Sequence, residues 1–150
     1  MITLLLAATL STADSTVYPV LNHDRPAGSM VVTRNGDTTS VRFVFTDRNR
    51  GTRVFSRYVI HDGRILSVEN RPVLSDDRLG DPTFRVEIVG DSIRQWTPAR
   101  TVTEARKNDV YYATGFSPFD QVLLAQHLLK QPGRTATLPG NSRRPQQTTN

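Results

Sequence analysis

The sequence predicts a mainly β (α+β) domain: a curved antiparallel meander of about 6–8 strands, a half-barrel, covered by one C-terminal amphipathic helix at about residues 118–130. Three observations carry this. Apolar residues recur with a period of two from Val17 to Trp96. Turn-forming residues punctuate that stretch at short intervals. The period then changes abruptly within "SPFDQVLLAQHLLKQPG".

The chain opens with "MITLLLAATLSTADS". An apolar run from Ile2 to Leu10, followed by small residues ahead of Asp14, has the shape of a secretory signal peptide over residues 1–13. The run is too short to span a bilayer, which takes about 20 residues, so no transmembrane anchor is expected. The expectation is a periplasmic or secreted protein whose single β-rich domain covers residues 14–138.

Within that domain Val41, Phe43 and Phe45 alternate with Ser40, Arg42 and Val44, and Phe84, Val86 and Ile88 alternate with Thr83, Arg85 and Glu87. Successive strand side chains point to opposite faces, so one set is expected in a core and the other toward water. Asn35-Gly36-Asp37, Asp47-Arg48-Asn49-Arg50-Gly51, His61-Asp62-Gly63 and Gly90-Asp91 separate the runs and read as hairpin turns. Pro72 to Pro82 reads as a looser loop. Residues 98–109 are polar, a loop or a short strand around Val102, and Val110-Tyr111-Tyr112 reads as a last short strand.

Ser117 can cap the helix, Pro118 suits its first position, and Asp120 and Lys130 suit the opposite ends of the helix dipole. Pro132 and Gly133 stop it. Phe119, Val122, Leu123, Leu124, Leu128 and Leu129 form a broad apolar face that must find the sheet, because a helix this short is marginal alone. His127 is expected at its solvent edge. After Leu138, residues 139–150, "PGNSRRPQQTTN", carry nothing apolar to bury and read as a disordered tail.

Composition excludes several chemistries. The absence of cysteine rules out thiol catalysis, disulfides and thiolate metal sites. The net charge of +5 rests on arginine, with Lys107 and Lys130 the sole lysines. The arginines are dispersed along the chain among acidic residues, so no nucleic-acid partner is expected. His23, His61 and His127 do not fall at metal-ligand spacing, so no metal or cofactor is expected. No glycine-rich phosphate loop or Gly-x-Ser-x-Gly turn occurs.

The cluster "NHDR" within "VLNHDRPAGSMVV" invites a catalytic reading of His23 and Asp24. Adjacent strand residues diverge, and Asn, Asp, Pro and Gly are what a turn demands, so the turn is preferred. Asp76 and Asp77 read as solvated loop carboxylates rather than an acid–base pair. Two tips remain as interface candidates: Asn22, His23, Asp24 and Arg25, and Asp47, Arg48, Asn49 and Arg50. An alternative function is a pocket for a lipid or acyl chain, lined by Phe43, Phe45, Tyr58, Phe84 and Trp96.

The stretches "YPVLNHDRPAGSMVVTRNGDTTSVRFVFTDRNRG", "RYVIHDGRILSVE" and "TGFSPFDQVLLAQHLLKQPGRTATLPG" resemble the amino-terminal β-rich accessory region of exported bacterial amidohydrolases. A looser likeness is to secreted half-barrel β-domains of the lipoprotein-carrier type. The first resemblance implies a non-catalytic exported accessory domain, partnered in cis or in trans by a metal-dependent (β/α)8 hydrolase domain. That catalytic domain, with its His-x-His pair, has no counterpart in the sequence, so the resemblance assigns no catalytic residue and implies an accessory domain that either stands alone or is a truncated fragment of such an enzyme.

Overall fold

The computed structural model describes residues 13–48, 50–106 and 117–130. The expected signal peptide, Asn49, the Val110–Tyr112 strand, the helix stop at Pro132-Gly133 and the tail lie outside these residues, apart from Ala13.

Eight strands, β1 (Asp14–Asn22), β2 (Arg25–Asn35), β3 (Thr38–Phe45), β4 (Arg53–His61), β5 (Arg64–Pro72), β6 (Phe84–Val89), β7 (Ser92–Thr97) and β8 (Arg100–Ala105), precede one helix, α1 (Phe119–Lys130). The strands form one sheet in sequence order, each antiparallel to the next. The mainly β meander with one helix therefore stands as expected. It is a single uncurled layer, where the sequence implies a half-barrel, and β1 and β8 are its outermost strands among the described residues. The polar segment around Val102 is a full strand, β8.

Turn chemistry sets the registers. His23 and Asp24 both adopt positive φ (46° and 61°), as do Asp62 and Gly63 (50° and 73°), the backbone that two-residue hairpins need. Gly28 is required for a second reason: a Cβ there would stand 1.9 Å from the Val44 carbonyl oxygen, on a backbone with φ of 149°. Bulges interrupt the count of two at Val20/Leu21 and Val59/Ile60. In the second, Val59 pairs with Ser67 and Ile60 with Ile65, so Leu66 is the extra residue and Ile65 regains the core face.

The core lies on one face of β2–β5. Val32 and Val41 are fully buried register partners, Met30 and Phe43 are buried partners two residues along, and Val54, Tyr58, Ile65 and Val68 continue the layer. α1 closes this layer with Phe119 and Leu123. The Tyr58 and Phe119 rings meet at 5.6 Å and a tilt of 58°. The helix face is narrower than its sequence implied: Val122 and Leu129 are exposed, and His127 is half-buried rather than at the solvent edge.

Asp120 is the larger departure. It sits in the first turn, but it is 2% exposed and accepts a hydrogen bond from the Tyr58 hydroxyl at 3.0 Å. The Ser117 hydroxyl lies 3.5 Å from the same tyrosine oxygen. Burial, and then the Asp120 charge, push the Tyr58 hydroxyl far above its ordinary range, so it stays a proton donor. Ser117 and Ser56 oppose this shift. Ser117 is the partner with contact to support this, since the Ser56 Oγ meets no partner at hydrogen-bond geometry. Ser56 faces Asn70 across β4 and β5, and the Asn70 amide is also buried without a side-chain partner.

Candidate functional site

The face of the sheet opposite the core carries a dense array of charged side chains among the described residues. One register row runs Ser40, Arg57, Glu69, Arg85 and Trp96 across β3 to β7. The next row runs Arg42, Phe55 and Arg71 across β3 to β5. Arg53 lies opposite Val44 and Arg94 opposite Glu87, on the same side. Residues dispersed along the sequence at even spacing are thereby gathered onto one surface, about 19 Å across five strands. Arginines at 42, 53, 57, 71, 85 and 94 share it with the carboxylates of Glu69, Glu87 and Asp77.

Two of those carboxylates act as clamps. Glu69 accepts from Arg71 Nε at 2.6 Å and from Arg85 Nε at 2.7 Å. Partial desolvation alone would raise its carboxyl, but the two arginines outweigh that and hold it below the ordinary carboxylate value. Asp77 reaches the face from the loop after β5 and accepts from Arg42 and Arg53, each at 2.7 Å. That loop is pinned by Val73 pairing with Leu79 and by the Gly80 amide donating to the Pro72 carbonyl. The Arg53 Nε beneath it is buried with no partner. Asp76 accepts from the Arg78 side chain at 2.6 Å, which holds its carboxyl low. Asp76 and Asp77 are thus arginine-bound, which leaves no pair of carboxylates poised for proton transfer.

Each clamped guanidinium keeps further N–H donors available. The side chains of Arg42, Arg53, Arg71 and Arg85 remain 33–42% exposed. Arg57 and Arg94 are exposed and make no ion pair among the described residues. The Arg85 guanidinium lies over the Trp96 ring, 5.2 Å from its centroid, a cation–π contact that orders both.

The residues singled out from sequence scatter by comparison. Phe43 and Tyr58 are buried in the core, with Phe45 packed against it, and Phe84 is half-buried in register with Asn70. Trp96 projects from the opposite face, so these five side chains cannot line one cavity: the pleat separates them. Tyr58 is also committed to Asp120. Asn22 and Arg25 close the β1–β2 hairpin, and His23 and Asp24 are its two exposed turn residues. Asp47 and Arg50 pair across a tight turn, with Arg48 at φ 49°. That turn and Phe45 bound a shallow open hollow of about 570 Å³.

His61 accompanies Asp37 at the far end of the sheet, Nδ1 to Oδ2 at 2.9 Å. The Asp37 hydrogen bond, with the Asp62 charge second, raises the His61 pKa above 6.5. Both side chains are about three-fifths exposed, so this is a solvated pair. Among the described residues no cluster of three or more metal-ligating side chains occurs, and no helix is long and apolar enough to cross a membrane. Comparison with known proteins yields no match to any family model, curated protein or solved structure.

Proposed function

We propose that this chain is a non-catalytic, exported β-domain that docks on an acidic surface of a protein partner through the arginine face, and that the partner is a metal-dependent amidohydrolase domain, joined in cis or met in trans. The observation that carries the docking role is the two-sidedness of the sheet. One face is closed by its own helix, and the other presents arginines with Phe55 and Trp96 to solvent. Arginine and aromatic residues are what the energetic centres of protein interfaces are made of, and lysine is not. The choice of hydrolase rests on the sequence resemblance, and the export on the amino-terminal apolar run.

A protein partner fits this face better than a nucleic acid does. Glu69, Glu87 and Asp77 stand among the arginines and would face phosphates at close range. One face of the Trp96 ring is occupied by Arg85, where a base would otherwise stack. Carboxylates of a partner can instead take the remaining guanidinium donors, with the steering and salt dependence of complementary charge.

The test uses poly-L-glutamate as the acidic probe and oligo-dT as the competitor class. The chain should bind poly-L-glutamate with an affinity that falls as salt rises. The Arg57→Glu, Arg94→Glu double variant should lose about tenfold or more. Tighter binding of oligo-dT in the same buffer, or an unchanged double variant, would overturn the docking reading. The non-catalytic reading expects no turnover of dipeptides by the purified chain with added zinc, and measurable turnover would contradict it.

A further inference from the structure

At the end of the sheet where the β2–β3 and β4–β5 turns meet, α1 leaves a partly enclosed cleft of about 210 Å³ along its length, from Phe119 to Lys130. Its apolar part is Ile60 and Ile65 from the sheet with Phe119 and Leu123 from the helix, and Thr39 and Gln126 add polar lining beside them. The Val59/Ile60 bulge creates it, because the extra Leu66 returns Ile65 to this face opposite Ile60. Two cations stand in the same lining, Arg34 from β2 and Lys130 from the last turn of α1. Neither makes an ion pair among the described residues. Asp37 is the one acid of the lining, and its carboxylate is engaged by His61. The Lys130 ammonium lies over Gly63, close enough that a Cβ at that residue would sit 2.7 Å from Nζ.

Apolar walls with a cationic rim define an amphipathic anion. At about 30 Å³ per water, the cleft holds the equivalent of about seven waters, and so a ligand of similar heavy-atom count. We infer that this cleft binds a short aliphatic carboxylate, its chain between Ile60, Ile65, Phe119 and Leu123 and its carboxylate at Arg34 and Lys130. This site is on the opposite side of the sheet from the arginine face and does not depend on the docking reading. Its lining shares no residue with the aromatic set Phe43, Phe45, Tyr58, Phe84 and Trp96.

Isoleucine-methyl NMR on the full chain, titrated with hexanoate, tests this. Hexanoate should saturate shifts confined to Ile60 and Ile65, while hexylamine, with the same chain and opposite charge, should leave them unmoved. An Arg34→Gln, Lys130→Gln variant, both changes being at the rim, should weaken hexanoate by about fivefold or more with an unchanged far-UV spectrum. Equal binding of hexanoate and hexylamine, full affinity in the variant, shifts centred elsewhere, or tighter binding of palmitate than of hexanoate would each overturn the assignment.

Discussion

The two faces of this sheet are built from the same strands, one residue out of step, and they do opposite things. On β4, Ser56 and Tyr58 are fully buried while Arg57 between them is exposed. On β3, Val41 is fully buried and its neighbour Arg42 is about one-third exposed. The core face spends its side chains on excluding water beneath α1. The outer face keeps its charges hydrated and holds them in order with two shared carboxylates. A strand can therefore supply a closed core and an ordered charged surface at once, provided its alternation does not slip, and both bulges fall near strand ends where a slip does little harm.

Substitutions should separate the faces by size of effect. Leu123 is the anchor of α1 in the core, so Leu123→Ala should cost about 2–5 kcal/mol in urea unfolding. Leu123→Asp should leave no folded population at all. A folded Leu123→Asp variant would mean that the core closes without the helix. Tyr58→Phe removes the hydroxyl donor from a buried carboxylate and should cost about 1.5–3 kcal/mol by the same measurement. A loss near zero would show that the buried pair contributes nothing to docking the helix.

The outer face should respond more weakly and in a pH-dependent way. Glu69→Gln should cost about 1 kcal/mol at neutral pH. The Glu69 pKa is depressed below its ordinary value of 4.5, so its contribution is fully present above that value and is lost as pH falls through the lower folded value. The difference between wild type and Glu69→Gln should thus vanish in acid. Arg57→Ala should change stability by less than about 0.5 kcal/mol, since the residue has no ion pair among the described residues to lose. Smallest is the His61–Asp37 pair. Because the His61 pKa is raised from 6.5, whatever it adds is complete below that value and disappears as pH rises through the higher folded value. Asp37→Asn should return the His61 titration, followed by NMR, toward 6.5.

Much of the fold is readable from local residue types. Asp62-Gly63 and Gly36 announce their hairpins because few other residues tolerate the positive φ they adopt. Val41 and Phe43 announce a core face because their neighbours are polar. The arginine face escapes a linear reading for the same physical reason that creates it. Arg42, Arg57, Arg71, Arg85 and Arg94 look dispersed along the chain, yet strands 4.8 Å apart bring equal-parity positions together. Dispersal at strand spacing is clustering in space, so charge should be counted by face once a meander is expected.

Other misses are of a different kind. A two-residue count puts Leu66 inside and Ile65 outside, and only the pairing with β4 reveals the bulge that reverses them. Asp120 carries the sequence signature of a helix-start acid, which is blind to the tyrosine that arrives from β4, 62 residues earlier. Trp96 reads as a cavity aromatic by size alone, but parity across β6 and β7 sends it outward. The cleft at Arg34 and Lys130 joins residues 96 positions apart, a juxtaposition that local patterning does not encode.

Because the chain contains no cysteine, single substitutions can report each face without background. The most direct measurement is native-state thiol labelling of Ser56→Cys and Arg57→Cys, adjacent positions on opposite faces of β4. The thiol introduced at position 57 should react freely, and the one at position 56 should be slower by about a hundredfold or more, reacting only when the core opens. Equal labelling of the two under native conditions would contradict the division of the sheet into a closed face and a solvent-exposed arginine face.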